Sequence, residues 1–110
     1  MVGCASEKPE ALVASAKEYL ARNDRNAAVI QLKNALQKNP DLAEARFLLG
    51  KALLENGDVA AADKELNKAN ELRYPFDQLA PVLARSILAR GDAKKVIGDF
   101  DPRQSVSSTE

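Results

Sequence analysis

Few residues in this sequence can do chemistry, and their spacing narrows what that chemistry is. The 110 residues include no histidine and a single cysteine, Cys4. That removes an imidazole general base, Ser-His-Asp and Cys-His nucleophile pairs, zinc sites of the finger type and any internal disulfide. The carboxylates Glu7, Glu10, Glu18, Glu44, Glu55, Asp63, Glu65 and Glu71 are interleaved with Lys and Arg, the pattern of a solvated face with weak ion pairs. None has neighbours that would set one carboxyl against another for acid–base work. The chemistry with regular spacing is cationic: Lys17, Lys51 and Arg85 recur every 34 residues. A column of cations can hold an anionic partner but does not transform it. No catalytic residue, metal site or cofactor is therefore expected.

The elements that must position this column repeat with the same period. Asn23-Asp24, Gly57-Asp58 and Gly91-Asp92 are also 34 residues apart, and each lies between two apolar-periodic stretches. Asn or Gly accepts the left-handed backbone that ends a helix, and the following Asp can cap the next one. Each pair thus reads as the tight turn of a helical hairpin. The periodicity predicts helices over 8–22, 25–38, 42–55, 59–72 and 77–90, and a short sixth over 93–100. Gly98 weakens that sixth helix by about 1 kcal/mol relative to Ala. Asp41 with Glu44 has the spacing of a capping box. Pro40 and Pro75 fall in the connections between hairpins, and Pro81 is expected in about the first turn of its helix, where a missing amide is partly tolerated. The expected organisation is an N-terminal segment 1–7, hairpin units 8–40, 41–75 and 76–100, and an aperiodic tail 101–110.

Composition agrees with an all-α chain. Ala and Leu, both strong helix formers, number 19 and 14. Lys plus Arg and Asp plus Glu are 16 each, so net charge is zero and the footprint of a dedicated nucleic-acid binder is missing. No run of eighteen apolar residues is present to span a bilayer.

The 34-residue helix-turn-helix period, with Leu12, Ala16, Tyr19, Ala28, Leu32, Ala35 and Pro40 in the first unit and Leu49, Gly50, Leu53, Ala62, Leu66 and Ala69 in the second, resembles the tetratricopeptide repeat. The small residues Ala16, Gly50 and Ala84 stand in register where two helices of a hairpin must approach closely. The resemblance implies about three antiparallel hairpins stacked as a right-handed solenoid. It also implies a protein-interaction role, with the first helix of each hairpin lining a concave groove. On that face Lys17, Lys51 and Arg85 form one column, Val13, Phe47 and Pro81 a second, and Leu20, Leu54 and Leu88 a third. Lys17, Phe47, Lys51, Leu54 and Arg85 are the expected contacts for an acidic–apolar peptide or protein partner. Phe47 is expected off the hairpin core. The plainer reading remains beside it: solvated cations, stacked leucines and a phenylalanine plugging the space between units. The positions of the carboxylate clamp of chaperone-binding relatives carry Val13, Leu48, Gln78 and Val82, so that role is not implied.

Residues 4–100 are also similar to the N-terminal repeats of tetratricopeptide lipoproteins associated with PEP-CTERM/exosortase sorting and exopolysaccharide loci. The stretch Gln31-Leu32-Lys33-Asn34-Ala35-Leu36-Gln37 is among the shared phrases. Val2-Gly3-Cys4-Ala5-Ser6 looks like the end of a lipoprotein signal, with Cys4 as the lipidated residue. That resemblance implies a lipid-anchored protein on the periplasmic face of a membrane in the cell envelope, with the bilayer touched only through the anchor. A free thiol in a soluble cytoplasmic adaptor is the alternative. An apolar end left after the third unit, around Val96, Ile97 and Phe100, is expected to support self-association.

Overall fold

The computed structural model describes residues 7–91. These form five helices in sequence: α1 Pro9–Ala21, α2 Arg25–Lys38, α3 Ala43–Glu55, α4 Val59–Glu71 and α5 Phe76–Ala89. No strand occurs among the described residues. Each helix packs against the next in the chain, and α3 also touches α5, so α1–α2 and α3–α4 are successive hairpins and α5 packs on the second of them. This is the all-α stacked-hairpin fold that the period predicts. Cys4, the sixth helix expected at 93–100 and the tail 101–110 lie outside the described residues.

The turns explain the helix ends. Asn23, Gly57 and Gly91 have φ of 63°, 89° and 82°. After the first two, the next amide bonds back to a carbonyl of the last helical turn: Asp24 N to Tyr19 O at 2.8 Å and Asp58 N to Leu53 O at 2.9 Å. This closes the helix with its end carbonyls satisfied. Asp24 then caps α2, its Oδ1 accepting from Ala27 N at 3.3 Å. Asp58 makes no such bond, although it occupies the equivalent place before α4.

Two local expectations are corrected. The capping box at Asp41 and Glu44 does not form. Leu42 is the residue before α3 and makes no side-chain cap, while Asp41 N donates to Asn39 Oδ1 at 3.1 Å in the preceding turn. Glu44 is instead drawn to Lys17, as described below. Pro81 lies past the first turn, inside α5, and the helix continues through it. The packing of Leu79, Val82 and Ser86, all buried, holds the helix across the missing amide bond. The turn after α4 places Arg73 at φ 67°, a left-handed position without glycine, and Tyr74 N closes it onto Ala69 O at 3.0 Å.

The apolar positions of the repeat form two core clusters. One joins α1, α2, α3 and the start of α4 around Leu12, Leu32, Ala35, Leu49 and Leu53. The other joins α3, α4 and α5 around Phe47, Leu66, Ala69, Leu79 and Val82. Leu48 and Leu54 pack against both, so the stack is continuous. Ala28 and Ala62, the small residues of the second helices, are fully buried. Gly50 is where the closest approach is required. A Cβ there would lie 2.7 Å from Cγ and Cδ2 of Leu66 and 3.2 Å from the carbonyl oxygen of Ala62.

Candidate protein-interaction surface

Polar links fix how the hairpins meet and so set the geometry of their shared face. Arg46 on α3 donates from Nη1 to Glu65 Oε1 on α4 at 2.8 Å and from Nε to Pro40 O at 3.1 Å. One largely buried ion pair thus ties a hairpin and the connection before it together. Arg25 Nε donates to Asn56 Oδ1 at 2.9 Å, and Asn56 Nδ2 donates to Asn26 Oδ1 at 3.3 Å, joining the start of α2 to the end of α3. Asp63 on α4 accepts from Arg90 Nη1 at 2.7 Å and lies 3.5 Å from the hydroxyl of Ser86, which is fully buried on α5.

The three cations of the expected column sit in different surroundings. Lys17 Nζ is 2.6 Å from Glu44 Oε2, with both side chains about half exposed, so its charge is neutralised across the gap between the first two hairpins. The pair borders a small depression of about 120 Å³ with Glu10, Val13, Ala14, Leu42 and Ala45. Lys51 has no ion pair among the described residues. It is half-buried in a groove of about 230 Å³ with Leu20, Asn23, Arg25, Leu48, Ala52 and Glu55. Arg85 is exposed on α5 and borders neither depression.

Phe47 is not presented to a partner. It is 7% exposed and stacks on Tyr74, with ring centroids 4.5 Å apart and planes 17° from parallel. The expectation that it lies off the core is corrected. α5 begins close enough to α3 that the space in front of Phe47 is filled by Tyr74 and the second core cluster. Leu54 is half-buried between the two clusters, and Leu20 is half-buried at the floor of the Lys51 groove. Leu88 is 51% exposed, so the leucine column is covered in the first two hairpins and open at α5. Val13 is buried and Pro81 exposed.

The residues that sequence reasoning missed are the neighbours of the column. Tyr74 packs over Phe47, and its hydroxyl lies 3.2 Å from Gln78 Oε1. Its phenol is pushed above the usual value of 10.0, first by burial and then by the charge of Glu44. Asp77 adds to the shift and Lys17 opposes it. Asn23, from the turn after α1, and Arg25, at the start of α2, join Lys51. The same 34-residue step that aligns the cations also aligns Glu10, Glu44 and Gln78, and would have flagged Glu44 as a neighbour of the column. Among the described residues no group of three or more His, Cys, Asp or Glu is placed to hold a metal, and no helix is long and apolar enough to cross a membrane.

Comparison with known proteins adds two findings. Residues 16–57 match the family model described as TPR repeat, the tetratricopeptide repeat. The match runs from α1 to the turn after α3 and supports the tetratricopeptide family, in agreement with the stacked hairpins. The chain is also similar to "ALBINO3-like protein 3, mitochondrial" of Arabidopsis thaliana, 34% identical over 61 residues. That stretch is 56% of this chain and 11% of the plant protein, so the chain spans about a tenth of that relative's length. No solved structure matches.

Proposed function

We propose that this protein is a non-enzymatic scaffold that receives a peptide or protein partner along the face built by α1, α3 and α5. The observation that carries this reading is the groove between α1 and α3, where Lys51 stands without a carboxylate partner over an apolar floor of Leu20, Leu48 and Ala52. Lys17, Arg85 and Leu54 would flank the partner. Phe47 would contribute by holding the second hairpin rigid. Self-association through α5, which leaves Phe76 and Leu88 exposed, is a second contact the same scaffold would support.

The finer reading places the scaffold on a membrane. Val2-Gly3-Cys4-Ala5-Ser6 and the similarity of residues 4–100 to PEP-CTERM- and exopolysaccharide-associated lipoproteins support a lipid on Cys4 and a place on the periplasmic face of the cell envelope. There the scaffold would gather components of polysaccharide export or protein sorting. The cytoplasmic adaptor differs from it only at Cys4. Similarity to a mitochondrial plant protein over a tenth of its length assigns no compartment to this chain.

A photo-crosslinking residue at position 51 tests the surface. Position 30 serves as control, because Ile30 is 59% exposed on α2. Crosslinks to a discrete partner from 51 and none from 30 are expected. Equal labelling from both positions would refute the groove. Mass spectrometry of the N-terminal peptide from membranes tests the anchor, and an unmodified Cys4 thiol would refute it.

A further inference from the structure

We infer that the groove at Lys51 reads one carboxylate side chain beside an apolar one on its partner, and that Glu44 and Gln78 set this register by neutralising one rung of the cation column and sparing the next. The inference rests on the interaction surface proposed above and names what that surface selects.

The argument begins with the ion pair between hairpins. Lys17 on α1 reaches Glu44 on α3 at 2.6 Å. The step in sequence from Lys17 to Glu44, repeated from Lys51, lands on Gln78. The position equivalent to Glu44 in the next repeat therefore carries an amide in place of the carboxylate. Gln78 is exposed on α5 and its Oε1 is shared with the Tyr74 hydroxyl, so it offers Lys51 no charge. The first cation of the column is silenced and the second is left active.

The rest of the groove matches a singly charged group. Arg25 brings a second cation, its Nε held by the neutral Asn56. Glu55 brings one carboxylate, and it has no ion pair among the described residues. Two cations against one anion leave the groove one positive charge in excess. A carboxylate balances that excess. A phosphate, at nearly two negative charges, would bring the second against Glu55. Leu20, Leu48 and Ala52 form the apolar floor beside the charges. A volume of about 230 Å³ is below the range of about 300–1,000 Å³ typical of small-molecule pockets, which suits a side chain or two and not a free metabolite.

The test is selection of a random-peptide library on the full chain at low salt, repeated on three variants whose helicity is checked by circular dichroism. The native chain should select peptides with one Asp or Glu next to Leu, Ile or Phe. The selected peptide should bind about tenfold tighter than its Gln counterpart, the scale of one charge-assisted hydrogen bond. Lys51→Gln should lose that preference. Gln78→Glu should also lose it with Lys51 still in place, because it reinstates the neutralising partner. Glu44→Gln should select peptides with a second acid at a fixed distance from the first, as Lys17 is released. An acid preference that survives both Lys51→Gln and Gln78→Glu overturns the inference. So does native selection without any acid preference, and crosslinking from position 51 would then still stand for the surface itself. A phosphoserine version of the selected peptide that binds more tightly than the glutamate version would overturn the assignment of carboxylate. Failure to select any peptide, together with absence of crosslinks, would refute the surface and the inference alike.

Discussion

Gly50→Ala sets two opposing effects against each other inside one hairpin. In an exposed helix the change stabilises by about 1 kcal/mol, because Ala loses less backbone entropy than Gly. Here the new Cβ would sit 2.7 Å from two atoms of Leu66 and 3.2 Å from the Ala62 carbonyl oxygen. Leu66 is fully buried and cannot swing into solvent, and the Ala62 oxygen is backbone, so α3 and α4 must separate. Overpacking of that kind costs about 1–3 kcal/mol. The balance is a net loss of roughly 1 kcal/mol, or about 4–8 °C in Tm for a domain near this size. A double-mutant cycle in urea isolates the contact. Leu66→Ala alone should cost about 2–5 kcal/mol. Adding Gly50→Ala to it should then cost less than in the native background, since the Leu66 clash is gone and only the Ala62 oxygen still opposes the gain in propensity. If Gly50→Ala raises the urea midpoint in the native background as much as in the Leu66→Ala background, the two helices are not in contact there and the reasoning fails.

Arg73→Gly should stabilise the protein by about 1 kcal/mol, because an L-residue pays that order of energy in the left-handed region that Arg73 occupies at φ 67°. A lower urea midpoint at unchanged slope would refute it. Asp63→Ala should cost about 1–3 kcal/mol by stripping Ser86 and the ion pair with Arg90. Amide exchange should accelerate in α5 more than in α1 and α2, and uniform acceleration would contradict the clamp. In a Tyr19→Phe variant, absorbance at the phenolate band should report Tyr74 titrating above 10.0. A phenol whose folded pKa is raised contributes stability that is complete below the unfolded value and is lost as pH climbs through the folded one. The protein should therefore lose stability in that alkaline window, and a midpoint at or below 10.0 would count against the burial of Tyr74.

The hairpins were legible because their signals are local and stereochemical. Asn23, Gly57 and Gly91 announced left-handed turns, and all three have positive φ. Ala16, Gly50, Ala28 and Ala62 announced close helix approach, and all are buried. The connections between hairpins were harder. Asn39 at φ −145° and Arg73 at φ 67° join the same pair of elements in consecutive repeats by different backbones, and Arg carries no sign of the second. Pro81 inside α5 was displaced from its expected place because the connection before that helix is not a copy of the one before α3. The site was the least legible. Whether Phe47 faces a partner or a neighbour depends on where Tyr74 is delivered by the turn at Arg73, and no periodicity carries that information.

The polar face of the stack varies more freely than its core for an energetic reason. Leu32, Leu66 and their neighbours are fully buried, and replacing any of them costs several kcal/mol. The pair of Lys17 with Glu44 joins two half-exposed side chains, and an ion pair of that kind is worth about 0–1 kcal/mol to stability. Exchanging Glu for Gln at the next equivalent position, as at Gln78, therefore changes stability little, and in the proposed register it decides whether Lys51 meets a neutralising carboxylate. A repeat built this way separates the residues that hold the fold from those that choose the partner. The consequence can be measured in one variant: Gln78→Glu should leave the urea midpoint within a few tenths of a kcal/mol of the native chain, while acid-selected peptides lose most of their binding. A large stability change accompanying that loss would mean that the two sets of residues are not separable in this molecule.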